Sequence, residues 1–154
     1  MHDLSRSAFE NRPGIHIATD GEFAGWRTWL RDSYESHTGP FWHRMEEDGS
    51  IRCAFRVEKK HLNGGGNVHG GCLMTFADIA LFQTAYQEME GKNGVTVQLD
   101  STFIDGARVG ELVESTGEVV RAGGSLIFVR GQITTGGRTL MTYSGIIKKF
   151  TPRS

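Results

Sequence analysis

At 154 residues, 38% hydrophobic and 23% charged, the chain has the length of one domain and apolar residues enough for one core, which excludes a two-domain reading. With 17 Lys+Arg against 18 Asp+Glu the formal net charge is -1, which removes the bulk electrostatic argument for nucleic acid or an anionic membrane surface, so any anionic ligand must be held locally. Glycine, 21 residues, is about twice its average frequency and falls at spaced positions, as turns and close backbone contacts require.

Residues 1–18 mix Ser, Arg, Asn, Pro and Gly without periodicity and read as a loose arm. Thr19 and Glu22 have capping-box spacing, and Phe23, Trp26, Leu30 and Tyr34 recur at helical intervals, with Trp29 widening the stripe. An amphipathic helix is therefore expected up to His37-Thr38-Gly39-Pro40. Arm and helix, residues 1–40, are set apart from a main domain over 41–154. From Phe41 the period is two: Phe41, His43 and Met45, a turn at Glu47-Asp48-Gly49, then Ile51, Cys53, Phe55 and Val57 make a hairpin. The segment Cys72 to Met89 leaves almost no polar face on a helix, so other structure must wrap it, and Gly91 is its stop. Strands are expected at 95–104, 109–121, 125–135 and 138–150, separated by Asp105-Gly106, Gly123-Gly124 and Gly136-Gly137, and read as an antiparallel meander. The fold class is α+β: one antiparallel sheet curled around a long central helix, with an extra N-terminal helix.

Cys53 and Cys72 are too few for a disulfide framework and no signal peptide precedes them, while Asp78 interrupts the longest apolar stretch before the roughly 20 residues a span needs. Asp3, Glu10 and Asp20 argue against a mitochondrial presequence, and the expectation is a soluble cytoplasmic protein.

Two features carry chemistry. The run Asn63-Gly64-Gly65-Gly66-Asn67-Val68-His69-Gly70-Gly71 opens the apolar helix, whose first N–H groups have no intrahelical partner and suit an anion or a polarised oxygen; an empty glycine turn is the alternative. It lacks the Gly-Lys-Ser/Thr of a phosphate loop. Asp78 lies two turns inside that helix, where an unpaired carboxylate is costly. It is either a structural carboxylate with a donor or, near a helix start that polarises a carbonyl, the equipment for attack on an acyl group.

Asn63-x-x-Gly66-x-x-His69-Gly70-Gly71, followed by Asp78 and by Gly94-Val95-Thr96-Val97, resembles the hotdog-fold acyl-CoA thioesterases of the PaaI-like family from about Phe41 to Phe150. The resemblance implies hydrolysis of acyl-CoA thioesters to free acid and coenzyme A, and two subunits joining their sheets with active sites at the interface, as a homodimer or homotetramer. It implies no metal and no cofactor beyond the coenzyme A of the substrate. Gly70 would donate its N–H to the thioester carbonyl. Asp78 of the facing subunit would be base or nucleophile, Asn63 would orient water or thioester, and Thr96 would hold the water. Val95, Val97 and Leu99 are expected on one strand face, with Thr96 opposite.

His69, beside Gly71, is expected to fix the loop by hydrogen bonding, with proton exchange the alternative. The turn Arg121-Ala122-Gly123-Gly124-Ser125-Leu126 matches the coenzyme A position, its N–H groups and Arg121 facing phosphate, or else it is a plain hairpin with a solvated Arg. Phe103 matches a position near the pantetheine or acyl group, though strand phenylalanines commonly pack in cores. Lys148 and Lys149 are weaker candidates that read as a solvated surface pair. Cys72 next to His69 suits a small buried hydrophobe better than a nucleophile. His61, His69 and Asp78 lack zinc-ligand spacing, and no Gly-x-Ser-x-Gly occurs. The competing reading is a module that senses acyl-CoA without cleaving it.

Overall fold

The structure, a computed structural model, describes residues 5–153; the first four residues of the expected arm lie outside it. Short elements come first: helix α1 at Arg6–Glu10, strands β1 at Ile15–Ile17 and β2 at Arg27–Trp29, and helix α2 at Tyr34–Thr38. The hairpin follows as β3, Trp42–Met45, and β4, Ile51–Arg56. After a 3₁₀ turn at Lys59–His61 comes the long helix α3, Gly70–Thr84, then β5 Asn93–Phe103, β6 Leu112–Ala122, β7 Leu126–Thr135 and β8 Arg138–Phe150.

All eight strands form one antiparallel sheet in the order β1-β2-β3-β4-β6-β7-β8-β5. The expected meander is corrected at one point. β5 does not pair with β6 across Asp105-Gly106; it crosses to the far edge and pairs with β8 from Asn93↔Phe150 to Phe103↔Met141. The sheet curls about α3, whose Phe76, Ala77, Ala80 and Leu81 are fully buried. Phe41, Phe55 and Phe76 pack ring to ring with centroids 4.9 to 5.7 Å apart, and Val113, Ile127, Ile133, Met141 and Ile147 close the core from the strands. Apolar all round, α3 is driven into such a wrap by burial of its side chains. The wrap is incomplete: Gly71, Thr75, Asp78 and Phe82, at spacings of four, three and four, keep a partly exposed stripe along the helix.

The amphipathic helix expected over residues 19–36 is absent. Gly21 and Gly25 take φ of +75° and +82°, conformations that break a helix, and Glu22 pairs with Arg56 instead of capping. Trp26 is buried while Leu30 and Tyr34 are 59% and 69% exposed, so the residues at helical spacing share no face. Nor are residues 5–18 of the arm loose. Ser5 caps α1, and Phe9, 1% exposed, packs edge-on to Tyr86 at 5.1 Å.

Candidate active site

Thr96 and Asp78 meet across the β5–α3 contact, with Thr96 Oγ1 donating to Asp78 Oδ1 at 2.6 Å. A β-bulge makes this possible. Thr96 pairs with Ile147 and Gln98 with Ile146, so Val97 is the extra residue. Val95 and Val97 turn outward, 48% and 51% exposed, opposite Thr96 as the alternation predicts. Leu99, expected with them, is instead partly buried and packs against the core, because the bulge resets the alternation.

At the start of α3 the loop is braced from within. Asn63 Oδ1 accepts from the N–H of Gly65 at 2.9 Å and of Asn67 at 3.2 Å, which leaves its amide nitrogen to meet a ligand. His69 Nδ1 accepts from the Gly71 N–H at 2.8 Å and caps the helix. Its carbonyl takes the N–H groups of Cys72 and Leu73. The Gly70 N–H, at the first helical position, has no acceptor among the described residues. Phe103 lies beside Gly70: a Cβ there would come within 3.3 Å of that half-exposed ring, so a side chain at this position asks the ring to give by a few tenths of an ångström.

The predicted site residues therefore fall into two groups. Asn63, His69, Gly70, Gly71 and Phe103 form one; Asp78 and Thr96 form the other. Eight residues at the helical rise put Gly70 and Asp78 about 12 Å apart along one axis, too far for one carbonyl group to touch both. The turn of residues 121–126 belongs with the second group. Ile127, Ile147 and Thr96 lie in register across β7, β8 and β5, so the turn is at the Thr96 end of the sheet, about 10 Å away over two strand spacings. It borders a cavity of about 580 Å³ with Arg121, Gly123, Gly124 and Ser125 in its lining. The Gly123 N–H is bound to the Leu126 carbonyl at 2.8 Å; those of Gly124 and Ser125 have no partner among the described residues. Ala122 ends β6.

Residues 65–142, about half of the chain, match the pattern of the thioesterase superfamily. The chain belongs to the thioesterase superfamily. A candidate esterase of Pseudomonas aeruginosa is 34% identical over 109 residues, 70% of this chain and 81% of that protein. Human acyl-coenzyme A thioesterase 13 is 30% identical over 86 residues, 56% of this chain and 61% of that protein, less than two thirds of its length. A hypothetical thioesterase of Streptococcus pneumoniae TIGR4, solved with coenzyme A, superposes with a TM-score of 0.64 at 25% identity over 74% of this chain and 88% of that one. This thioesterase thus has the hotdog fold and is a thioester hydrolase.

One side chain of the thioesterase departs from expectation. Lys149 is not solvated: 7% exposed, its Nζ donates to the Glu88 carbonyl at 3.0 Å and pairs with Glu90 at 3.3 Å. Burial pushes the Cys72 thiol up to about 11, so it is no thiolate at neutral pH. The sequence reading missed that side chains from the front of the chain share a cleft with Asp78. Arg12, Arg27, Trp29, Arg31 and Glu35 line one cleft of about 480 Å³ with Asp78. Burial raises the Glu35 carboxyl above the usual carboxylate range, with Arg31 opposing and the Asp78 charge adding. No periodic signal marks the four charged residues, since Arg12 lies between α1 and β1, Arg27 in β2, Arg31 just after it and Glu35 in the five-residue α2. A larger groove of about 700 Å³ crosses the polar outer face of β5–β8, between residues such as Thr102, Thr116 and Thr142, and contains none of the predicted site residues.

Proposed function

We propose that this thioesterase hydrolyses acyl-CoA thioesters at a site assembled from two copies of the chain. The observation that carries the reading is the division of the site: a free helix-start N–H at Gly70 and a hydroxyl-braced carboxylate at Asp78, about 12 Å apart on one helix. A second subunit that lays its own α3 antiparallel along the exposed stripe puts one subunit's Gly70 beside the other's Asp78. The sheet supports the same assembly. β5 is an edge strand with a free row of backbone groups, and Val95, Val97, Phe103 and Ile104 on or beside it are 48% to 56% exposed.

In this reading the thioester carbonyl accepts from the Gly70 N–H, whose helix-end field stabilises the oxyanion as it forms. Thr96 holds one Asp78 oxygen, and the second attacks the thioester carbon or takes the proton of an attacking water. Collapse of the tetrahedral centre breaks the C–S bond: on the water route Asp78 passes the proton it took to the departing sulfur and the free acid forms directly, and on the carboxylate route coenzyme A leaves as a thiolate and water then cleaves the mixed anhydride to regenerate Asp78 and release the acid. Asn63 contributes its amide nitrogen, and the Arg121–Ser125 turn receives the phosphates. Support for coenzyme A comes from the relatives: human acyl-coenzyme A thioesterase 13 and the coenzyme A-bound streptococcal structure. Cys53 and Cys72 are both free thiols, in keeping with a reducing cytoplasmic setting. Purified protein incubated with a panel of acyl-CoAs should release thiol; binding without release would leave the sensing module as the better reading.

A further inference from the structure

The cleft beside Asp78 is cationic in a way that hydrolysis does not require. Arg6, Arg44, Arg52, Arg56, Arg130 and Arg138 each have a carboxylate oxygen at 3.9 Å or closer. Among the described residues, Arg12, Arg27 and Arg31, which line the cleft, have none. Arg27 is 2% exposed. It donates to the Phe9 carbonyl and, at 2.9 Å, to Gln83 Oε1, lies over the Phe9 ring, and its Nε has no partner among the described residues. A buried guanidinium with no anion beside it is costly, and burial draws its pKa down to about 9. Arg12 rests 5.1 Å above the Tyr86 ring with no hydrogen bond from its guanidinium among the described residues, and Arg31 stacks 4.3 Å from Trp29 and donates from one Nη to the Pro13 carbonyl at 2.8 Å, leaving its other guanidinium N–H groups for a ligand. The Gln83 amide nitrogen, also in the cleft lining, has no acceptor among the described residues.

Lys92, also in the lining, is paired with Glu90 at 3.6 Å, and against the three arginines stand two carboxylates, Asp78 and Glu35, with Glu35 made harder to ionise by burial. We propose that Arg12, Arg31 and Gln83, with Arg27 beneath them, bind a carboxylate at the far end of the acyl group, so that the thioesters of short dicarboxylic acids are the preferred substrates. This rests on the acyl-CoA reading above. Gln83 follows Asp78 by five residues, about 7.5 Å along the helix, the span of a short extended acyl chain, and Phe82 and Trp29 wall the cleft for its methylenes. All three arginines precede residue 65, where the superfamily match begins, so the selectivity belongs to the N-terminal segment and not to the shared core.

Adipoyl-CoA and hexanoyl-CoA have equal carbon number and differ only in a terminal carboxylate against a methyl group. Their kcat/KM values, read by thiol release, are compared for the intact chain, for Arg12→Gln and for Arg12→Gln/Arg31→Gln. The intact chain should favour adipoyl-CoA by about ten-fold or more, as charge-assisted pairing of a carboxylate provides, and the ratio should drop in the single variant and approach one in the double. A ratio of one or below in the intact chain overturns the proposal. So does an equal loss on both substrates in the variants, which would place the coenzyme A phosphates on these arginines. Hydrolysis of neither thioester would overturn the acyl-CoA reading itself, and the carboxylate site would fall with it.

Discussion

Thr96 and Asp78 are joined by a 2.6 Å hydrogen bond that links an edge strand to the middle of a buried helix. The bond fixes one carboxylate oxygen and leaves the other without a partner among the described residues. A carboxylate on the exposed stripe of α3 is thereby held in one orientation, as a positioned base or nucleophile requires.

Replacement of Asp78 by Asn keeps size and shape while removing the basic oxygen. Thioester turnover should fall by roughly 10²–10⁴, with acyl-CoA affinity largely preserved. Thr96→Ala removes one orienting bond and should reduce kcat less. Cys72→Ser, at a thiol that burial keeps protonated, should be nearly silent. Steady-state kinetics on the three variants check the order; a Cys72→Ser protein that loses turnover while Asp78→Asn keeps it would refute the role given to the carboxylate.

The donor at Gly70 can be removed without breaking the helix. Proline is tolerated at a first helical position, and it asks of the preceding residue the extended backbone that His69 already has, φ -62° and ψ 135°. Gly70→Pro should therefore stay folded by circular dichroism, with the Phe103 ring shifting aside, and lose about 10²–10³ in kcat. Paired with Phe103→Ala, which removes the contact, the loss should persist, because it belongs to the missing N–H.

Two separate lesions test whether the site is shared between subunits. Asp78→Asn and Gly70→Pro, each nearly inactive, should complement when unfolded together and refolded. Random pairing gives half mixed dimers with one intact site each, so about a quarter of the wild-type activity should return. No recovery, in a mixture shown by mass spectrometry to contain mixed dimers, would mean that each subunit works alone.

The sequence made the core legible where periodicity had a physical cause. α3 and the four long strands were readable because Phe76, Ala80 and Leu81 repeat at 3.6 and the strand residues at two. Asp78 stood out as a charge among apolar neighbours. β5's place was not legible, because Asp105-Gly106 marks a turn without saying which strand the chain meets next. The N-terminal segment misled for another reason: Phe23, Trp26 and Leu30 have helical spacing, yet Phe23 stacks on Trp42 at 5.4 Å and packs edge-on to the buried Trp26 across a turn, while Leu30 is 59% exposed. Gly21 and Gly25 were the available signal against a helix.

His43 supplies an acid-sensitive element. It is 1% exposed, neither ring nitrogen has a hydrogen-bond partner among the described residues, and burial, with Arg27 nearby, lowers its pKa from 6.5 to about 3. Between those values the unfolded chain takes up a proton at this position and the folded chain does not, so stability declines as pH falls below about 6.5. The slope from this residue approaches about 1.4 kcal/mol per pH unit. Denaturant midpoints for the protein and for His43→Leu, measured from pH 7 to pH 4, should diverge, with the variant the flatter of the two.

The extra residue at Val97 lets one strand satisfy two demands that strict alternation would set against each other. Thr96 must present a hydroxyl to Asp78, and Leu99, three positions on, packs against the core. In a regular strand an odd separation sends two side chains to opposite faces. Removal of one residue here would force a choice between wetting the leucine and withdrawing the hydroxyl, so this short irregularity binds the chain's length at that point to its chemistry. Insertions and deletions should be tolerated in the Gly136-Gly137 turn long before they are tolerated between Thr96 and Gln98.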